Sequence, residues 1–200
     1  MKKSITIIGL GDSITAGNPE FLSPVENPPE GSGNPQSQYA YWLMQTHPDW
    51  RVLNRGIGGQ RSDEILARFT PDVLSHRPDA VIILAGVNDL YQGLPPDWVI
   101  ENLQQLYDRA QKAGLRVVTC SIMPYAGIRP AVLSRLQAVN DWIERASRQR
   151  GFGFCDLYRA MQDPQRPQEL QHTADGLHPN VEGYRRMAAA LSPVVEAVLE

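Results

Sequence analysis

Short runs of branched apolar residues alternate along the chain with longer stretches whose apolar positions recur every three or four residues. That is the pattern of parallel strands joined by crossover helices, an α/β fold. Five strands are predicted: SITIIGL (Ser4 to Leu10), RVLN (Arg51 to Asn54), AVIILAG (Ala80 to Gly86), LRVVTCSIM (Leu115 to Met123) and FGFCDL (Phe152 to Leu157). The third and fourth are almost unbroken in apolar residues, which marks strands buried on both faces.

Helical spacing fills the intervals. Ser37 to His47 carries Trp42, Leu43 and Met44 inward and stops at Pro48. Ser62 to Arg77 opens on a serine cap with an acidic first turn and spaces Ile65, Leu66, Phe69 and Val73 on one face. Pro71 should kink or split it. Pro96 to Gly114 and Pro130 to Gly151 each have proline at the start and glycine at the stop, the expected polarity of helix signals. A closing helix runs from about Asn180 to Leu199. The stretch from Asn18 to Gln36 holds five prolines and reads as a long surface loop, functional or mobile.

Bulk composition narrows the class further. At 200 residues with 42% in the apolar class, one domain over 1–200 can build a sizeable core, since folding at this size removes roughly 70% of the chain's surface from water. Nineteen basic residues stand against 22 acidic ones, net −3, with no block of like charge, so no nucleic-acid partner is indicated. Only two cysteines occur, Cys120 and Cys155, each at the end of an apolar run, where a reduced thiol acts as a small hydrophobe. No disulfide framework is expected, which suits a reducing, cytoplasmic location. The opening MKKSITIIGLGDS has too short an apolar stretch, and no cleavage site, for a secretory signal, so it reads as the first strand. No apolar run reaches the length of a membrane-spanning helix. The four histidines, His47, His76, His172 and His178, lack ligand spacing, so no metal is expected.

Candidate chemistry gathers where strands end. Gly9 and Gly11 begin a glycine pattern that fails as a dinucleotide fingerprint, because Ile14 stands where the third glycine is needed. A phosphate loop fails for want of a following Gly-Lys pair, and the G-x-S-x-G elbow fails because Ile14 and Thr15 follow Ser13. What remains is Gly11-Asp12-Ser13 at the carboxyl end of a strand, the edge of an α/β sheet where ligands bind. Ser13 is there a helix cap or a nucleophile.

A serine nucleophile needs a base, and the base an orienting partner. Asp175 and His178, three apart in TADGLHPNVEGY, offer both, although each alone is also an ordinary turn or helix-start residue. An oxyanion needs donors. The backbone N–H of Gly58 or Gly59 in NRGIGGQRSD and the amide of Asn88 in AGVNDL are candidates, with a tight turn and an Asx turn as their ordinary roles.

Four blocks in this order resemble the SGNH hydrolases, the GDSL esterase and lipase family, over nearly the whole length. Gly11-Asp12-Ser13-Ile14 is similar to the nucleophile block, Asn54 to Gly59 to the glycine block, Gly86-Val87-Asn88-Asp89 to the asparagine block, and Asp175-Gly176-Leu177-His178-Pro179 to the D-x-x-H-P block. The resemblance implies a flavodoxin-like, three-layer α/β/α sandwich with a five-stranded parallel sheet. It implies Ser13 as nucleophile, His178 as base and acid, Asp175 as its orienting group, and an oxyanion hole from Ser13, Gly59 and Asn88. It implies no cofactor. Two positions depart from the family pattern: Gln60 stands where many relatives carry aspartate, and Ile14 where the family name has leucine.

The expected activity is hydrolysis of short-chain acyl esters, O-acetyl groups of carbohydrates among them, through an acyl-enzyme on Ser13. Lysophospholipase or acyl thioesterase activity, or a silent flavodoxin-like module holding a small anion, are the alternatives. The expected partner is a small-molecule ester, and the sequence carries no signal of oligomeric state. The aromatic and polar residues of Tyr91 to Trp98, Met123 to Pro130 and Asp163 to Thr173 should rim the site, stacking a sugar ring or, through Leu94, Trp98 and Ile128, lining a slot for a short acyl chain.

Overall fold

The computed structural model describes residues 4–200. Lys2 and Lys3 of the predicted strand-opening segment lie outside the described residues. In chain order the elements are β1 (Ile5–Gly11), α1 (Ser13–Ala16), β2 (Phe21–Leu22), β3 (Ser32–Gly33), α2 (Tyr39–Thr46), β4 (Trp50–Gly56), α3 (Ser62–Ala67), α4 (Phe69–Asp72), β5 (Ala80–Leu84), α5 (Val87–Tyr91), α6 (Pro96–Lys112), β6 (Arg116–Cys120), α7 (Pro130–Arg150), β7 (Gly153–Cys155), α8 (Leu157–Met161) and α9 (Val181–Leu199). Two 3₁₀ turns, Pro35–Ser37 and Leu74–His76, lie between them, and β1, β4, β5, β6 and β7 answer to the five predicted strands.

The main sheet has the order β4-β1-β5-β6-β7 with every pair parallel. Helices α2 and α9 pack on one face, and α3, α6 and α7 on the other, giving the expected three layers. All five residues of β5 are buried, as its unbroken apolar sequence requires. Helix α7 buries Val132, Leu136, Val139, Ile143 and Ala146, the 4-3-4-3 spacing of one helical face. Gly151 ends it at φ 68°, a left-handed conformation open to glycine. Among the described residues no helix is long and apolar enough to cross a membrane.

Strand order reverses between β1 and β5, so the chain leaves their carboxyl ends in opposite directions and opens a crevice there. The ladder puts Gly11, Gly56 and Leu84 on one row. Ser13, Gly59 and Asn88 follow that row by two, three and four residues, which brings three sequence blocks to one edge. Gly56 is needed for close approach, because a Cβ there would stand 2.0 Å from the Ala16 nitrogen.

Three local expectations are corrected. The segment from Asn18 to Gln36 is not a structureless loop: it forms the β2–β3 hairpin, and the Ser23 hydroxyl donates to the Gly56 carbonyl at 2.6 Å in a buried bond. The predicted helix from Ser62 to Arg77 does split, but at Arg68, ahead of Pro71, whose ring would clash with the carbonyl of Ala67 if the first helix ran on. Arg109 donates to the Leu66 carbonyl beside this break, at 3.2 Å. Ser62 is not the cap of α3. It is the first helical residue, and its N–H and hydroxyl both donate to Asp89, at 2.9 and 2.6 Å.

Candidate active site

Helix α1 is a single turn, and its capping residue is Asp12: the Ile14 N–H donates to Asp12 Oδ1 at 3.0 Å. Ser13 is therefore released from capping. As first residue of α1, its own N–H has no place in the intrahelical pattern. Its side-chain oxygen lies 2.9 Å from His178 Nε2. His178 Nδ1 in turn lies 2.7 Å from Asp175 Oδ2. With Nδ1–H donating to the carboxylate, Nε2 is left as acceptor for the serine proton.

The second oxygen of Asp175 accepts from the N–H groups of Leu177 and His178, at 2.9 and 2.8 Å. Asp175 thus forms the turn and orients the imidazole at once. Burial alone would raise its carboxyl, but the His178 N–H, the imidazole and the Leu177 N–H outweigh that and hold it well below the usual carboxylate range. It is therefore ionised at neutral pH. The turn is clamped by Thr173, a residue the sequence reading used only as rim: its hydroxyl donates to the His178 carbonyl at 2.7 Å and accepts from the Gly176 N–H at 2.9 Å. Position 173, two before the aspartate, is where a side-chain-bonded turn could have been looked for.

Among the candidate donors, the Gly58 N–H is engaged by Glu26 Oε1 at 2.7 Å. Gly59, at φ 75°, makes no backbone hydrogen bond through its N–H among the described residues. The Asn88 side chain is not in an Asx turn. It donates one amide hydrogen to the Gln60 carbonyl at 2.8 Å, which leaves the other for a ligand.

Gln60 has a partner of its own. Arg68, mostly buried, donates Nε to Gln60 Oε1 at 2.6 Å, Nη1 to the Arg55 carbonyl at 2.7 Å and to Asp72 at 2.8 Å, and Nη2 to the Gly11 carbonyl at 2.6 Å. One guanidinium therefore ties the carboxyl ends of β1 and β4 to the loop that carries Gly59. Burial lowers its pKa, and Asp72 offsets that.

A cleft of about 230 Å³ opens beside the imidazole, bounded by Pro19, Glu20, Asn34, Ala174, Asp175 and His178. A wider groove of about 810 Å³ lies at the other end of the sheet, between the amino ends of β6 and β7 and α9, so size alone does not mark the site. Cys120 and Cys155 are free, buried and adjacent in register. Burial, with Asp156 nearby, pushes the Cys155 thiol up to about 12, and burial pushes Cys120 up as well, so neither offers a thiolate nucleophile. Among the described residues no group of three or more His, Cys, Asp or Glu is placed to hold a metal ion.

Residues 10–186 match the sequence profile of the GDSL-like lipase/acylhydrolase family. An arylesterase of Vibrio mimicus is 30% identical over 116 residues, 58% of this chain and 54% of that protein. An acetylxylan esterase of Geobacillus stearothermophilus is 33% identical over 96 residues, 43% of this chain and 40% of that protein. The matched region thus spans about half or less of these relatives. Among solved structures, a GDSL-like lipase from Bacteroides thetaiotaomicron superposes with a TM-score of 0.74 at 26% identity, covering 98% of this chain and 90% of the other.

Proposed function

Because the chain belongs to the GDSL-like lipase/acylhydrolase family, we propose that it is a serine esterase that hydrolyses short acyl esters through an acyl-enzyme on Ser13. The observation that carries this reading is the continuous chain of contacts from Asp175 through His178 to Ser13, at 2.7 and 2.9 Å.

The Ser13 oxygen attacks the ester carbonyl carbon as its proton passes to His178 Nε2, and the carbonyl oxygen becomes an oxyanion. The N–H groups of Ser13 and Gly59 and the free amide hydrogen of Asn88 are its donors; engagement of the Gly58 N–H by Glu26 supports Gly59 for this role. The tetrahedral intermediate collapses, the carbon–oxygen bond to the alcohol breaks, and the leaving alkoxide takes the proton back from Nε2. Water then gives a proton to His178, attacks the acyl carbon, and releases the acid and free Ser13.

Short acyl groups are supported by the match to an acetylxylan esterase, 33% identical over 96 residues. The test is labelling with a fluorophosphonate probe and peptide mapping, alongside a panel of esters of graded chain length and an acyl thioester. Label on Ser13 and a rate falling with chain length are expected; folded protein that carries no label on Ser13 refutes the reading.

A further inference from the structure

Beyond the triad, a second cavity opens on the same edge of the sheet. It has a volume of about 320 Å³ and is walled by Tyr91, Tyr125, Gly127, Ile128, Arg129 and Val132. Both of its sides are built into the candidate site. Tyr91 stands three residues after Asn88 on α5, one helical turn along the same face. Tyr125 precedes Ala126, whose N–H donates to the Gly176 carbonyl at 2.8 Å, and Gly176 follows Asp175. The cavity is thereby held between the helix of the oxyanion donor and the turn of the catalytic carboxylate.

Its lining has unspent recognition chemistry. Tyr91 is 68% exposed, the most exposed of the large apolar residues among those described, and its ring meets that of Tyr125 edge to face, with centroids 6.2 Å apart. Ring contact of this kind fixes the orientation of a platform that otherwise faces water. Among the described residues neither phenol hydroxyl nor the Arg129 guanidinium has a hydrogen-bond or ion-pair partner, although other arginines do, such as Arg61, Arg68, Arg150 and Arg185. Burial, with Tyr91 beside it, raises the Tyr125 phenol, which keeps it a neutral donor.

From this arrangement we infer that Tyr91, Tyr125 and Arg129 form a subsite for a polyhydroxylated ring, the sugar alcohol whose O-acyl group reaches Ser13. The aromatic face takes the C–H face of the ring, and two hydroxyls and a guanidinium take its oxygens. A plain aryl ring would use the stacking face and leave the three polar groups unmatched. The inference rests on the esterase reading and deepens it by naming the alcohol side of the substrate.

The test compares the parent with Tyr91→Ala and Arg129→Gln, both at exposed positions, on a peracetylated methyl pentopyranoside, on ethyl acetate and on p-nitrophenyl acetate. The ratio of kcat/KM for the acetylated glycoside to that for ethyl acetate should fall at least tenfold in each variant. In Arg129→Gln the ratio of p-nitrophenyl acetate to ethyl acetate should stay within twofold of the parent's. A glycoside ratio within twofold of the parent's in both variants, or an aryl ratio that falls as far as the glycoside ratio in both, overturns the subsite. If the parent turns over none of the three esters, the esterase reading fails and the subsite is read by calorimetric titration of the parent and Tyr91→Ala with the same glycoside. Saturable binding lost in Tyr91→Ala then upholds it, and no binding to the parent overturns it.

Discussion

Replacing Asp12 by Asn should make the protein more stable at neutral and alkaline pH while leaving its stability near pH 4 almost unchanged. Asp12 is wholly buried next to Ser13, with Oδ1 engaged by the Ile14 N–H and Oδ2 without a hydrogen-bond partner among the described residues. Burial pushes its carboxyl up from 3.8 to about 7; the Ile14 N–H and the Arg68 cation pull against that, and the Asp89 carboxylate adds to it. The unfolded chain ionises near 3.8, whereas the folded chain keeps the proton to about 7. The contribution of the protonated group is therefore fully present below the unfolded value and is lost as pH rises through about 7. At about 1.4 kcal/mol per pH unit, the interval corresponds to a loss of about 4 kcal/mol, a large share of the 5–15 kcal/mol typical of a folded domain. Asparagine copies the shape of the neutral acid and retains the acceptor for Ile14, but cannot ionise. Urea denaturation of both proteins at intervals from pH 4 to pH 9 measures the difference. It should be within about 1 kcal/mol at pH 4, grow in favour of the variant as pH rises, and level off above about pH 7, with a melting shift on the order of 10 °C there. A difference that stays constant across the range would refute the buried, proton-holding carboxyl.

Three further outcomes follow from the site. Asn88→Ala removes a proposed oxyanion donor and should lower kcat by about a hundredfold or more, with little change in urea midpoint; a loss below fivefold in folded protein would exclude the amide from the transition state. Gly56→Ala puts a Cβ 2.0 Å from the Ala16 nitrogen, a backbone atom that moves only with α1, so labelling of Ser13 by fluorophosphonate should slow at least tenfold even where circular dichroism shows native helix content. Arg68→Met leaves Asp72, itself largely buried, without its cation, and should cost about 3–5 kcal/mol by urea denaturation. The Arg68→Met, Asp72→Asn double variant should recover part of that loss.

The strands and the long helices were legible because burial of a face imposes a period, and β5 and α7 carry theirs without interruption. Single-turn helices such as α1 and α5 are too short to show a period, and they are held by what lies around them. The hairpin after α1 was misread as a structureless loop for a related reason. Its order comes from the Ser23 contact with Gly56 and the Glu26 contact with Gly58, pairs more than thirty residues apart that no local pattern encodes. Four motif blocks located Ser13, Asp175, His178, Gly59 and Asn88 because each chemical group sits at the end of a strand or in the closing turn. The supports of that machinery were not legible. Arg68 looks like any polar residue on a helix, and only the fold reveals that it bonds the carbonyls of Gly11 and Arg55. Gln60, a departure from the family pattern, proves to be held by that same guanidinium.

The bond between Ser13 and His178 joins positions 165 residues apart. In a growing polypeptide the serine therefore emerges long before the imidazole. Until His178 has emerged, the Ser13 hydroxyl is an ordinary alcohol with no imidazole to take its proton. The closing turn lies three residues before α9, so the Ser13–His178 pair is held by the same helix that packs on α2 and on β5, β6 and β7.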